Sequence, residues 1–218
     1  MGTLVESLAS AHGFEIVGVF DDQNNVNGQG LVAGPHADVA VDFSSAAAVP
    51  VNLPLLARRG INIVLGTTGW QEHEPFLRRA VADGGIGMVA ASNFSLGAYL
   101  FQSIVEHAAR AFARRAEYGA WIHEAHHAAK KDAPSGTALT LKAAMEAAGY
   151  SGRIDISSTR AGSIPGTHTA GFDGPSDTVT LTHTNRDRAA FALGALEAAR
   201  WVIGKRGWFT MRDVLQID

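Results

Sequence analysis

Residues 61–90, Ile-Asn-Ile-Val-Leu-Gly-Thr-Thr-Gly-Trp-Gln-Glu-His-Glu-Pro-Phe-Leu-Arg-Arg-Ala-Val-Ala-Asp-Gly-Gly-Ile-Gly-Met-Val-Ala, decide the fold. Two apolar runs, Ile61–Leu65 and Ile86–Ala90, have strand length and enclose a stretch of helical spacing, Glu74–Ala82. Strand, glycine turn, helix and strand in that order argue for a parallel α/β sheet with right-handed crossovers. Working toward the N-terminus, Val49–Arg59 reads as a helix, Val39–Phe43 as a strand, Phe14–Phe20 as a strand ending at Asp21, and Thr3–Ala11 as a helix. Toward the C-terminus, Leu96–Arg115 is a long helical pattern. Tyr118–His123, Arg153–Thr159 and Thr178–Thr184 read as strands, Ala138–Ala148 and Ala189–Val202 as helices, and Met211–Ile217 as a short tail. The middle block is richer in strands and threonine, which predicts a second, mixed α/β domain. Gly162–Asp177, rich in turn residues and poor in apolar ones, is expected to be a mobile loop over a site.

The chain has 218 residues, enough for one large domain or two small ones with a sizeable core. Its 46% hydrophobic content, 24 glycines and 7 prolines read as globular. Formal charge is −3, without a long basic or acidic run, so nucleic-acid binding is not expected. Cysteine is absent, which removes disulfides, thiolate metal sites and cysteine nucleophiles and fits a reducing cytoplasm. No apolar stretch is long enough to span a bilayer, and Met1–Glu6 lacks a signal-peptide pattern, so a cytoplasmic protein without membrane association is expected.

The first ninety residues suit a dinucleotide-binding domain. Such domains place a glycine-rich turn between a strand and a helix, and an acidic residue roughly 20 positions on for the ribose hydroxyls. With Thr3–Ala11 as that helix, Asp21 falls at the acidic position, although a solvated pair with Asp22 at a strand end is the plainer reading of it alone. Gly66-Thr67-Thr68-Gly69 and Ser92-Asn93-Phe94 follow strands, where backbone amides and hydroxyls could face a cofactor. Gly-Thr turns are common. It is their repeated position at strand C-terminal ends that carries weight.

The densest chemistry lies in residues 123–137, His-Glu-Ala-His-His-Ala-Ala-Lys-Lys-Asp-Ala-Pro-Ser-Gly-Thr. Two adjacent histidines supply protons near neutral pH, and Lys130 and Lys131 supply fixed charge. Ser135, Gly136 and Thr137 stand where a helix begins, so their amides and hydroxyls form an anion site. Together these suit a small, doubly anionic substrate that is protonated while held. Asp132 is expected to shape the turn or pair with a lysine. His123-Glu124-Ala125-His126-His127 also matches the zinc-hydrolase pattern His-Glu-x-x-His. That chemistry needs a helix, whereas in a strand His123 and His127 would stand about 13 Å apart, so no metal is expected.

Glu124-Ala-His126-His127-x-x-Lys130-x-Asp132-Ala-Pro-Ser135-Gly136-Thr137 resembles the long, specific signature of the dihydrodipicolinate reductases, now called 4-hydroxy-tetrahydrodipicolinate reductases. The resemblance extends over Asp42-Phe43-Ser44, Gly66–Gly69, Ser92–Ser95, Arg160-Ala-Gly162-x-x-Pro-Gly166-x-His168, Arg188-x-x-Phe191-Ala and Phe209-x-Met211-Arg212-Asp213-Val214-Leu215. It implies reduction of a cyclic dicarboxylate in the diaminopimelate–lysine pathway, with NADH or NADPH as hydride donor. It further implies His126 as general acid, Lys130 assisting, and His127, Ser135, Gly136 and Thr137 binding the carboxylates. The cofactor residues it implies are Asp21, Gly66, Thr67, Thr68, Ser92, Asn93, Phe94, Arg188 and Phe191. The fold implied is a Rossmann-like domain, residues 1–94 and 187–218, plus a mixed α/β substrate and oligomerisation domain, residues 95–186, assembled as a homotetramer through the sheet of the latter.

The pattern departs from the family at its start. Members open with a strand and a Gly-x-x-Gly-x-Met-Gly turn, and this chain begins at the last two residues of that turn, Met1-Gly2. The first strand is therefore expected to be missing, through a misplaced start or a truncation, leaving a form less stable and weaker in nucleotide binding than one extended upstream. A catalytically silent binding or assembly protein of the same fold is the competing expectation, and a zinc hydrolase a third. Asp21-Asp22, with no basic residue in Asp21–Gly30, predicts preference for NADH over NADPH.

Overall fold

The computed structural model describes residues 1–217. In chain order the regular elements are α1 (Gly2–Ala9), α2 (Gln29–Ala33), β1 (Val39–Asp42), α3 (Val49–Arg58), β2 (Asn62–Leu65), α4 (Glu74–Gly84), β3 (Gly87–Ala90) and α5 (Leu96–Phe112). They continue with β4 (Gly119–His126), α6 (Gly136–Ala147), β5 (Ile154–Arg160), β6 (Thr167–Asp173), β7 (Thr178–Thr184), α7 (Ala189–Val202), β8 (Gly207–Phe209) and α8 (Met211–Leu215). Two compact units result, Met1–Leu96 with Ala189–Asp218, and Gly97–Arg188.

The first unit holds a parallel sheet of order β1-β2-β3-β8. Strands β2 and β3 are nearly continuous apolar runs because both faces are covered, as parallel strands require. Leu53, Leu56, Ile63, Leu65, Leu77, Val81 and Met88 form the core between sheet and helices. Helix α4 begins with a proline in its first turn and ends on Gly85, in the left-handed conformation that closes helices.

Phe14–Phe20 is not a strand. Its backbone joins no ladder, and Ile16, Val17, Val19 and Phe20 are exposed. Apolar alternation gives a segment the propensity to pair, but among the described residues no strand lies beside it to accept the bonds. Asp21, expected at a strand end, instead heads a tight turn.

The second unit holds a mixed sheet of order β5-β4-β6-β7, with β4 parallel to β5 and antiparallel to β6. Its apolar face, Ala120, Ile122, Ala170 and Phe172, packs on Phe101, Val105 and Ala109 of α5 and Leu141 and Met145 of α6. Strand β6, paired on both sides, runs through the middle of the expected loop Gly162–Asp177. Its glycine misleads: Gly171 lies under the Trp121 ring, where a side chain would collide. A glycine inside a strand marks such a close approach as often as a turn. Among the described residues, no helix is long and apolar enough to cross a membrane.

Candidate active site

Strand β4 aims its side chains with a period of two, so Ala120, Ile122, Glu124 and His126 share the core face. The register sets Glu124 opposite His168 of β6 and His126 opposite Arg160 of β5. The apolar face thus ends in a polar cluster. Glu124 is wholly buried, and the Arg160 guanidinium grips it with two bonds, Nη2 to Oε1 at 2.7 Å and Nη1 to Oε2 at 3.0 Å. His126 Nδ1 also bonds Glu124 Oε2. The His126 ring stands edge-on to His168, with centroids 5.1 Å apart.

Beyond β4 the chain turns through His127, which is exposed, to Lys130, whose ammonium bonds both oxygens of Asp132 at 2.8 and 2.9 Å. Asp132 is thereby the lysine's partner, its carboxyl held below the usual range by Lys130 first and by backbone amides including that of Gly136. Ser135 caps α6: its Oγ accepts from the Ala138 amide at 3.2 Å. The same Oγ lies 3.0 Å from His168 Nε2, so this buried hydroxyl is engaged within the protein. Gly136 is exposed and Thr137 half-buried at the helix start, where first-turn amides favour an anion.

His123 and Glu124 are consecutive in a strand and point to opposite faces, and His123 Nδ1 pairs with Ser157 Oγ at 2.9 Å. The zinc-hydrolase arrangement, which needs one helical face, is absent. Glu124, His126 and His168 do bring potential ligand atoms within 4.8 Å of one another. Both Glu124 oxygens, however, already face a guanidinium, whose charge repels a cation.

Burial would raise the Glu124 carboxyl, but the bonds from Arg160, Ser158 and His126 outweigh it and hold it at about 2, against an ordinary 4.5. Burial first, then His126, lowers His168 from 6.5 to about 4. Burial likewise lowers His126, with Glu124 opposing and Lys130 and Arg160 assisting. Both His168 and Glu124 bind protons more readily unfolded than folded, so each contributes stability at high pH that is lost on acidification. For His168 the loss runs from pH 6.5 down to about 4, and for Glu124 from 4.5 down to about 2. The melting temperature should fall steadily across both windows. Replacing His168 by Gln should flatten the upper one, and an unchanged slope there would show that another group is responsible.

In the first unit, Asp42-Phe43-Ser44 begins on the last residue of β1, and Gly66–Gly69 and Ser92–Phe94 follow the C-terminal ends of β2 and β3, the edge at which open parallel sheets bind ligands. Asp42 ties two of these turns together: its Oδ1 accepts from the Ser44 amide at 2.9 Å, Ser44 Oγ at 2.7 Å and Thr67 Oγ1 at 2.8 Å. The Thr67 hydroxyl is therefore turned inward, and Thr68 is the exposed one. A side chain at Gly66 would strike the Phe43 ring, so this backbone stays bare. Asn93 Oδ1 takes the Ser95 amide at 2.7 Å, Ser92 is exposed, and the Phe94 ring is buried edge-on to Phe43. Asp21 Oδ1 accepts the amides of Gln23 and Asn24 at 2.9 and 3.1 Å. Arg188 is exposed at the end of the second unit, and Phe191 half-buried in the first turn of α7. In the sequence Arg160 and His168 stand out only inside a family-like segment; their pairing with Glu124 and Ser135 depends on strand register.

Residues 1–94 match the family described as dihydrodipicolinate reductase, N-terminus, and residues 97–215 the one described as dihydrodipicolinate reductase, C-terminus. The 4-hydroxy-tetrahydrodipicolinate reductase of Archaeoglobus fulgidus is 36% identical, the alignment covering 99% of this chain and 96% of that protein. That of Methanospirillum hungatei JF-1 is 39% identical, over 83% and 76%. Among solved structures, a dipicolinate-bound dihydrodipicolinate reductase from Paenisporosarcina sp. TG-14 shares the fold, with TM-score 0.74 at 20% identity over 94% of this chain and 93% of that one. An amine dehydrogenase from Mycobacterium smegmatis shares it more distantly, with TM-score 0.62 at 11% identity over 98% and 92%.

Proposed function

The chain belongs to the dihydrodipicolinate reductase family, and from that premise we propose how its residues perform the reaction. It is an NAD(P)H-dependent oxidoreductase, and its substrate is the cyclic dicarboxylate 4-hydroxy-tetrahydrodipicolinate. The residues of the first unit suit a dinucleotide: three turns at parallel strand ends, a bare Gly66 backbone, and Asp42 fixing the spacing of two of those turns. Gly66, Thr67, Thr68, Ser92, Asn93 and Phe94 would hold it, with Asp21, Arg188 and Phe191 contributing. When bound, the nicotinamide cofactor supplies the hydride.

In the second unit, His126 acts as general acid, neutralising the electron density that reduction leaves on the ring. Lys130 assists it, exchanging Asp132 for a substrate carboxylate. His127, Gly136 and Thr137 bind the carboxylates at the α6 N-terminus, and Ser135 supports that terminus from within. The observation that carries this reading is His126, held at one ring nitrogen by buried Glu124, whose other oxygen takes the amide of Ser135 at the α6 start. The active form is a cytoplasmic homotetramer. Oxidation of NADH by the purified chain with freshly generated 4-hydroxy-tetrahydrodipicolinate tests it, and absence of turnover in a folded, nucleotide-binding preparation would refute it.

For the cofactor, Asp21 and Asp22 set two carboxylates against a 2′-phosphate. NADH should exceed NADPH in kcat/KM by about tenfold or more. A ratio favouring NADPH overturns this preference.

A further inference from the structure

Glu124 does more than fill a buried position. Its carboxylate is shared: Oε1 takes Arg160 Nη2 at 2.7 Å and the Ser135 amide at 3.4 Å, and Oε2 takes Arg160 Nη1 at 3.0 Å and His126 Nδ1. A carboxylate gripped on both oxygens by a guanidinium is ionised and only accepts. Nδ1 of His126 is therefore the donor in this pair and carries its hydrogen there in either charge state. The transferable proton is left to Nε2. That nitrogen faces Gly166, where an added Cβ would stand 3.0 Å from it, so the missing side chain keeps Nε2 open.

We propose that Glu124 is a positioning residue that locks His126 with Nδ1 protonated, makes Nε2 the proton-delivering nitrogen, and strengthens its hold on that proton, while Arg160 keeps the carboxylate from taking the proton itself. The proposal rests on the reading of His126 as general acid. Among the described residues, the charged or titratable groups acting on the His126 ring are Glu124 on its own strand, Arg160 on β5, His168 on β6 and Lys130 on the loop after β4. Glu124 alone among them favours the imidazolium. The other three are cationic or can become so. Removing the negative charge therefore lowers the pH at which His126 gives up its Nε2 proton, typically by about 1–3 units for a charge at hydrogen-bond distance.

The test is 15N NMR of histidine-labelled protein, with the His126 signals assigned by their loss in His126→Gln, alongside pH–rate profiles. In the unmodified protein above its titration, neutral His126 should show the Nδ1–H form. An Nε2–H form there overturns the proposal without any need for a further variant. In Glu124→Gln the neutral form should become mixed, and the alkaline limb of kcat should move at least tenfold in proton concentration toward acid. Glu124→Asp, which restores the charge, should bring the limb part of the way back. A merely structural role for Glu124 would lower the amount of folded protein but leave both the tautomer and the limb of the folded fraction in place, and that result also overturns the proposal. If the NMR titration moves and the rate profile does not follow, the tautomer lock stands and the reading of His126 as the acid falls.

Discussion

Replacing His126 by Gln should lower turnover by about 10²- to 10⁴-fold, with little change in the folded structure. The range is that of a positioned general acid. His126 is half-buried at the end of the β4 core face, so an amide of similar size fits where the ring was. Gln can still donate to Glu124 Oε2, which keeps the buried carboxylate partnered and spares the protein an unsatisfied charge. What Gln cannot do is release a proton near neutral pH. The loss should therefore appear in kcat, with KM for the dicarboxylate close to unchanged. Lys130→Ala should behave differently. Its ammonium is only partly exposed and pairs with Asp132, so its removal should raise KM as well as lower kcat. Measured in parallel, the two variants separate proton delivery from substrate holding. Near-normal kcat in His126→Gln would remove it from the chemistry altogether.

How far the sequence carries the site is decided strand by strand. β2 and β3 are legible because parallel strands covered on both faces read as nearly unbroken apolar runs, and the short apolar run of β1 at the sheet edge is legible beside them. The strand ending at His123 was recognised but continues to His126, and that extension matters most for function. Glu and Ala are depleted in strands, so propensity ends the strand early. What extends it is tertiary: Glu124 is drawn into the core face by Arg160, 36 residues away on a strand whose register no local pattern reveals. β6 was hidden for a related reason. Its Thr-His-Thr-Ala-Gly-Phe-Asp reads as loop until Trp121 is seen to occupy the space that Gly171 leaves. Phe14–Phe20 shows the converse, a strand-like sequence without a strand, since pairing belongs to two segments and not one.

Gly194→Ala sets local propensity directly against packing. Gly194 lies inside α7, and by helix propensity alone alanine there should stabilise by about 1 kcal/mol. The structure demands the opposite sign. A Cβ at this position would fall onto the Phe94 carbonyl oxygen, far below the 3.0 Å that real Cβ atoms respect. The obstacle is backbone, not a side-chain tip that could swing aside, so either α7 or the Ser92-Asn93-Phe94 turn must move. Both are pinned: α7 is lined by fully buried Ala192, Ala195, Ala198 and Ala199, and Phe94 is buried against Phe43. Overpacking against fixed backbone should cost about 3 kcal/mol or more, the upper end of the usual range. For a chain of this size that lowers the melting temperature by about 6–12 °C. Because the displaced turn is one of the proposed cofactor contacts, nucleotide affinity should fall together with stability. Gly119→Ala, where nothing lies within 4 Å of the added carbon, is the control and should leave both near the parent values. An increase in melting temperature for Gly194→Ala would mean that α7 does not press on the turn, and that its glycine is there by accident of sequence and not by necessity of approach.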